Sequence, residues 1–259
     1  MGKLIAVILM FSFTHLASAQ WTVPFAPRPV APAGHTAPSF NSYAYYALSS
    51  SATYTIGPTT SLSMSAGDII VAFGRAASTG EITMAFSTSG CSGSWVYGSG
   101  STTTWLGADS ESAVQIGYCI ATSTGSYTCS AAISPASEWN SLQCLDLSPG
   151  TAAGLNISSP NVGGSASTVA TTPSFSTTGA TYHVICSTWA TTASHQITAA
   201  TIAGAAATVV SSDSSDPTSS NYESGCAVYA ASSPITTQTG TMTFSASEAW
   251  YVGDLVFSY

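Results

Sequence analysis

The stretches SPASEWNSLQCLDLS, residues 134–148, and SASEAWYVGDLVFS, residues 245–258, share one pattern and lie about 110 residues apart. Each begins with a small polar run that leads to Glu and Trp, and each ends in an apolar run of the kind found in β-strands. Earlier segments match in the same order, IIVAFGRA with YHVICSTW and ESAVQIGYCIA with ESGCAVYAA. Matching segments in matching order predict two sequence-related halves.

The rest of the chain is typical of an all-β protein. Short runs rich in Val, Ile, Thr, Tyr and Phe are separated by Gly, Ser, Pro and Asp, and no amphipathic helix of useful length occurs. Apolar residues alternate at Val114, Ile116 and Tyr118, as one buried and one exposed face require. We therefore expect a jelly-roll-like β-sandwich built from the two halves, with two tandem Ig-like sandwiches as the alternative.

The N-terminal region differs from the rest in composition. Lys3, an apolar run and the small residues Ala17, Ser18 and Ala19 have the order of a secretory signal peptide. Five prolines follow between residues 23 and 38, which favours an extended linker. The predicted divisions are a signal peptide (1–19), a proline-rich linker (20–42), a first half (43–150), a connection (151–172) and a second half (173–259).

The charge balance excludes two classes of partner. Without the signal peptide the chain has two basic residues, Arg28 and Arg75, against eleven acidic ones, a formal charge of −9. Nucleic acids and anionic lipids are bound by clustered Lys and Arg. We therefore expect no nucleic-acid partner and no membrane insertion. The signal-peptide pattern predicts a secreted or extracellular protein, with the cell surface or the periplasm as alternatives, whose partner is an extracellular carbohydrate or a cell-surface component. No cofactor is predicted.

Six cysteines follow the signal peptide, and an even number in an exported chain indicates disulfides. No pair has the spacing typical of zinc ligands. Two cysteines flank the turn at 122–125 as a hairpin pair would, although alternation does not place both on one face, and two others are alone in the second half. The predicted pairs are Cys119–Cys129, Cys186–Cys226 and, by elimination, Cys91–Cys144.

Several of these motifs together resemble a recurrent module of exported bacterial proteins. They are the Gly-Asp that leads the apolar strand at Ile69, the loop GCSGSWVYG, the aromatic Tyr118 in a central strand, and an apolar strand closing each half. The resemblance is to an uncharacterised two-half β-sandwich module and covers residues 43–259. It implies an exported scaffold and transfers no catalytic residues. The chain departs from the module at Asp146, where an acidic–aromatic pair is usual.

Exposed aromatic side chains are the best candidates for a binding site, because sugar rings stack on them. Trp105 lies in a polar loop without apolar neighbours, and Trp95 lies in another Gly/Ser-rich loop, beneath which it could also pack. Tyr43 and Tyr45 begin the first predicted strand of the sandwich. These four residues are the predicted ligand-binding residues.

Acidic residues offer weaker candidates. Two Ser-rich loops contain local acidic clusters that could supply oxygen ligands to calcium, without the spacing of a known calcium loop. Their members are Asp109, Glu111, Asp213 and Asp216. Glu138 and Glu248 are equivalent in the two halves, which argues against a convergent catalytic pair.

The sequence favours a non-catalytic extracellular recognition or surface-structure protein, with carbohydrate as the first choice of ligand. A secreted glycoside hydrolase or other hydrolase that uses Glu138 or Asp146 is the alternative from another class. A structural subunit of a matrix or filament is the third interpretation.

Overall fold

A computed structural model describes residues 35–48, 52–77, 82–91, 94–98, 103–106, 111–150, 152, 154–190, 195–213 and 222–259. These residues form sixteen β-strands and no helix, so the predicted all-β class is confirmed. Every pairing in the register is antiparallel. Within the described ranges, no helix has the length and apolarity to cross a membrane.

The first half contains ten strands. They are β1 (Ser39–Leu48), β2 (Thr53–Ile56), β3 (Leu62–Met64), β4 (Ile69–Ala77), β5 (Thr83–Thr88), β6 (Val96–Tyr97), β7 (Thr103–Leu106), β8 (Glu111–Ile120), β9 (Gly125–Tyr127) and β10 (Cys129–Ser148).

The second half contains six strands. They are β11 (Gly154–Thr171), β12 (Thr181–Ala190), β13 (Ile197–Ile202), β14 (Ala205–Asp213), β15 (Tyr222–Ala231) and β16 (Gly240–Ser258).

The first half is a sandwich of two sheets that share β10. Residues 129–137 of β10 pair with β2 and β5 to form the first outer sheet. Residues 138–148 pair with β1 and β4, and β8 with β6 and β7 at its far side completes the first inner sheet. The apolar side chains between these sheets form the first core. It includes Ile56, Met84 and Ile133 from the outer sheet and Ile70, Cys119 and Leu142 from the inner sheet.

The second half closes into a ring of pairings. β16 pairs with β12, β12 with β15, β15 with β14, β14 with β13, and β13 again with β16. Ring closure is possible because β16 takes part in two sheets. Residues 240–244 pair with β13 and β11 in the second outer sheet, and residues 249–258 pair with β12, which with β15 completes the second inner sheet. The second core inside this ring includes Ile185, Trp189, Ile202, Met242, Phe244 and Val252.

A third apolar cluster lies between the two halves. β4, β8 and β10 contribute the faces that they turn away from the first core, and β12, β15 and β16 contribute theirs. This shared core includes Val71, Ile116 and Leu145 from the first half and Val184, Val228 and Leu255 from the second. Because both inner sheets are buried on both faces, the halves are packed together and are not two independent Ig-like modules.

The predicted divisions need two corrections. β1 begins at Ser39, so the last four residues of the predicted linker belong to a strand. The predicted connection 151–172 is mostly β11, which pairs along β16. Ser, Gly and Asn dominate β11, so it lacks the apolar alternation that identifies a half-buried strand in a sequence. It is a strand because it forms backbone hydrogen bonds with the neighbouring β16. The predicted signal peptide lies outside the described residues.

All six cysteines form disulfides, with one predicted pair confirmed and two wrong. Cys186 and Cys226 face each other directly on β12 and β15, with Cα atoms 4.1 Å apart. The predicted Cys119–Cys129 and Cys91–Cys144 pairs are replaced by Cys91–Cys119 and Cys129–Cys144.

The hairpin that the predicted pairing requires does not form. Between β8 and β10 the chain leaves to pair β9 with β3, and Cys129 then enters the outer sheet opposite Thr88. Cys144 lies on the inner-sheet part of the same strand, and its Cα is 6.2 Å from that of Cys129. This disulfide therefore joins the two layers of the first sandwich.

We expect non-reducing peptide mapping of the mature protein to recover the 91–119, 129–144 and 186–226 pairs. Replacing both Cys129 and Cys144 by Ala removes a crosslink that closes a loop of 15 residues. The expected loss of unfolding free energy is about 3 kcal/mol, measured by urea denaturation. Recovery of a 119–129 peptide would contradict the strand order given above.

A buried glutamine links the halves beside the shared core. The Gln143 side chain is fully buried, its Nε2 donates to the Ser224 carbonyl at 2.8 Å, and its Oε1 accepts from the Ser211 hydroxyl at 2.9 Å. Both partners belong to the second half. A buried amide with satisfied hydrogen bonds fixes the register of the two inner sheets.

We expect Gln143→Ala to lower the free energy of unfolding by roughly 2–4 kcal/mol, because it leaves a cavity and orphans two buried polar groups. The matched control is Gln238→Ala, which truncates an exposed glutamine of the second half. That control should change stability by less than about 0.5 kcal/mol. Equal effects of the two substitutions, measured by urea denaturation, would contradict the role of Gln143.

Candidate functional site

The four predicted binding aromatics lie on two different edges of the first inner sheet. Tyr43 and Tyr45 are on β1 at one edge, whereas Trp95 precedes β6 and Trp105 lies in β7 at the other. β10, β4 and β8 separate the two edges, and neighbouring strands are about 4.8 Å apart. The structure therefore does not bring the four residues together into one platform.

These aromatics also differ in how much surface they offer. Trp95 is half-buried and packs edge-on against Phe86, with ring centroids 5.3 Å apart, so part of its ring completes the first core. Tyr43 is 40% exposed and Tyr45 is half-buried. The Trp105 backbone pairs with Ser112, and its side chain lies outside the described set. Ligand binding by these residues stays a prediction.

The most exposed large apolar side chain in the described ranges is Tyr54, which is not among the four predicted ligand-binding residues. It lies on β2 between Thr53 and Thr55, and 69% of its surface is accessible. The only signal in the sequence was an aromatic in a short Thr-rich run, which equally describes a core position. Its exposure follows from β2 being an edge strand that pairs with β10 alone.

The sheet that contains Tyr54 presents a small, uncharged outer face. Met84, Phe86, Ala131 and Ile133 point into the first core, and the residues between them point outwards. Cross-strand neighbours on this face include Thr55 with Ala132, Ala132 with Ala85, Ser134 with Thr83 and Ser130 with Ser87. No charged residue occurs in β2, β5 or residues 129–137. Hydroxyl and methyl groups therefore cover this face.

The corresponding outer sheet of the second half carries a threonine row. Thr241 pairs with Thr171 of β11 on one side and with Thr201 of β13 on the other. The hydroxyl oxygens of Thr201 and Thr241 are 2.7 Å apart. This face has no exposed aromatic side chain among its described residues, which distinguishes it from the face beside Tyr54.

Asp146 is part of a buried carboxyl pair at one end of the first sandwich. It is 1% exposed, and the carboxyl group of Asp68, which is 6% exposed, is close enough to affect its pKa. Asn41 Nδ2 donates to Asp146 Oδ1 at 3.3 Å, and the Ser42 hydroxyl lies 3.5 Å from Oδ2. Burial raises the pKa of Asp146 to about 6 and Asp68 adds to this, while the donors Asn41 and Ser42 oppose it.

The interpretation of Asp146 as a hydrolytic residue loses support from this burial. A general acid must reach the bond that it protonates, and a carboxyl group with 1% exposure cannot meet a polysaccharide. Glu138 and Glu248 pair through their backbones with Ala77 and Ser167 in separate halves, and their side chains lie outside the described set.

Thr181, His183 and Asp254 form a chain that has the order of a catalytic triad. The Thr181 hydroxyl is 3.1 Å from His183 Nε2, and His183 Nδ1 is 3.2 Å from Asp254 Oδ2. All three side chains have 0% exposure, and Phe175 packs on the imidazole with centroids 5.2 Å apart. Burial raises the pKa of Asp254, against the hydrogen bond and charge of His183. His183 is therefore a fully buried, hydrogen-bonded residue of β12.

The predicted calcium residues are not brought together by any described contact. Asp109 and Asp216 lie outside the described residues. Glu111 begins β8 and Asp213 ends β14, on strands of different halves. Among the residues that the structure describes, no group of three His, Cys, Asp or Glu side chains could hold a metal ion.

No protein-family model, curated protein or solved structure matches this chain. Three features have functional potential in the described geometry: exposed Tyr54 beside an uncharged sheet face, the buried pair of Asp68 and Asp146, and the buried chain that ends at Asp254. Only the first is accessible to a ligand.

We expect the Thr181–His183–Asp254 chain to act in stability and not in catalysis. His183→Ala leaves a buried carboxyl group without its partner and should lower the unfolding free energy by about 3 kcal/mol or more, measured by urea denaturation. Thr198→Ala, on the exposed face of β13, is the control and should be nearly neutral. Covalent labelling of Thr181 by a fluorophosphonate would contradict this role.

Proposed function

We propose that this protein is an exported, non-catalytic recognition protein that binds a neutral carbohydrate at the β2 edge of the first outer sheet, through the exposed Tyr54 ring and the hydroxyl groups beside it. The observation that carries the proposal is the 69% exposure of the Tyr54 ring on a sheet edge lined with hydroxyl groups.

Stacking on a sugar ring fits this exposure. An aromatic ring in water gains free energy by covering its face, and the C–H face of a pyranose is a complementary apolar surface. Thr53 and Thr55 flank Tyr54 on the same edge strand, and Thr55 is exposed. Their hydroxyl groups donate and accept hydrogen bonds, as sugar hydroxyls require.

The charge distribution favours a neutral ligand over an acidic one. Among the described residues, Arg75 is the only arginine or lysine, and it is 1% exposed. An acidic polysaccharide would therefore find no guanidinium or ammonium group on the described surface and would approach a chain of strong negative charge.

Export supports this assignment. Three disulfides indicate that the chain folds in an oxidising environment, and residues 1–19 have the parts of a signal peptide. We therefore also propose that the protein is secreted and that it belongs to the exported two-half module.

The test measures binding of the mature protein to neutral polysaccharides, with a uronic-acid polymer for comparison. Tyr54→Ala should weaken binding about tenfold, since it removes a stacking contact of about 1.4 kcal/mol. Tyr54→Phe keeps the ring and should retain most of the affinity. Tyr43→Ala and Trp105→Ala test the two sheet edges in the same assay.

Three outcomes would change the assignment. No binding to any glycan would remove carbohydrate as the ligand and favour a structural subunit. Binding that Tyr54→Ala does not affect but Trp105→Ala abolishes would move the site to the opposite edge of the first half. Release of reducing sugar from the polysaccharide would favour the hydrolase.

A further inference from the structure

Two buried aspartates lie on the corresponding long strands of the two halves, at positions that are two residues apart when the halves are aligned. Asp146 lies on β10 opposite Ile70 of β4, and Asp254 lies on β16 opposite Ile185 of β12. Each alternates along its strand with a leucine of the shared core, so each side chain points towards the interior of its own half. Their exposures are 1% and 0%.

The surroundings of the two carboxyl groups differ, but both disfavour a charge. Asp146 faces one titratable group among the described residues, Asp68 on the turn before β4, and β1 supplies only the neutral donors Asn41 and Ser42. Asp68 Oδ2 accepts from the Ser65 backbone N–H at 2.6 Å, which fixes the turn beside Asp146.

Asp254 lies in a more apolar place. His183 on β12 is its titratable neighbour, and Tyr229 on β15 lies beyond it, 6.4 Å from the imidazole between ring centroids. The second carboxyl oxygen of Asp254, Oδ1, is buried and has no hydrogen-bond partner. An unpaired buried oxygen is tolerated at lower cost on a neutral carboxyl group than on a carboxylate.

We propose that these two buried carboxyl groups make the fold acid-stabilised, so that the protein is built to persist in an acidic extracellular medium. Each carboxyl group stabilises the inner sheet of its own half most when the carboxyl group is uncharged. In the first half, Asp146 links β10 to β1 and to the turn that precedes β4.

The sign of the effect follows from proton linkage. The folded pKa of Asp146 is about 6 against an ordinary value of 3.8. The protonated group therefore stabilises the folded state fully below the ordinary value, and this contribution is lost as the pH rises through about 6. Asp254 acts in the same direction because burial also raises its pKa.

The test is urea denaturation of the mature, disulfide-bonded protein between about pH 4 and pH 8. The shift of roughly two units at Asp146 predicts a folded-to-unfolded ratio roughly a hundredfold larger at acidic than at alkaline pH. Asp146→Asn, which is neutral throughout, should remove most of the dependence between about pH 4 and pH 6.

A second measurement does not depend on the variants folding. Carbon-13 NMR of the aspartate carboxyl groups in the wild-type protein should show one group titrating near pH 6. Stability that is equal or greater at neutral pH, or aspartates that all titrate near the ordinary value, would overturn the proposal. So would an unchanged pH profile in both Asp146→Asn and Asp254→Asn.

Discussion

Two long strands, β10 and β16, each pass from one sheet into another, and the architecture depends on this crossing. Each strand supplies one arm to an outer sheet and one arm to an inner sheet. The inner arms then turn their remaining faces to the shared core. Because a strand alternates its side chains between two faces, one strand can serve two cores only if both faces are buried.

This constraint explains why the chain contains so few charged residues. Inner strands buried on both faces have no solvated side for Lys or Glu, and the outer faces carry Ser, Thr and Ala. Polar groups that do enter the interior are mostly satisfied across sheets, as Gln143 is by Ser211 and Ser224. Asp254 is less well satisfied, because its Oδ1 has no hydrogen-bond partner. Burial raises the pKa of both Asp146 and Asp254.

The same layering determines what is accessible to a ligand. Two pairs of side chains resemble catalytic groups, His183 with Asp254 and Asp68 with Asp146. Both pairs lie inside the sandwich, where a substrate has no access. The described outer face of β2, β5 and residues 129–137 is uncharged and hydroxyl-rich, and the Tyr54 ring is exposed at its β2 edge. This accessible edge supports the proposed recognition of a neutral polymer.

The sequence by itself determined the all-β class and the Cys186–Cys226 pair, because period-two patterns and the isolation of two cysteines are local signals. The alternation at Val114 and Ile116 also predicted an exposed face on β8, which is wrong, because Ala113 and Gln115 on the other face are buried as well. The order of the matching segments predicted two halves; descent from a duplication stays a prediction. Only the tertiary structure decided that β11 is a strand, that Cys129 pairs with Cys144, that the predicted aromatics occupy separate edges and that Tyr54 is exposed. These features depend on which strands become neighbours after the chain crosses between layers, and pairing between distant segments leaves no periodic trace in either one.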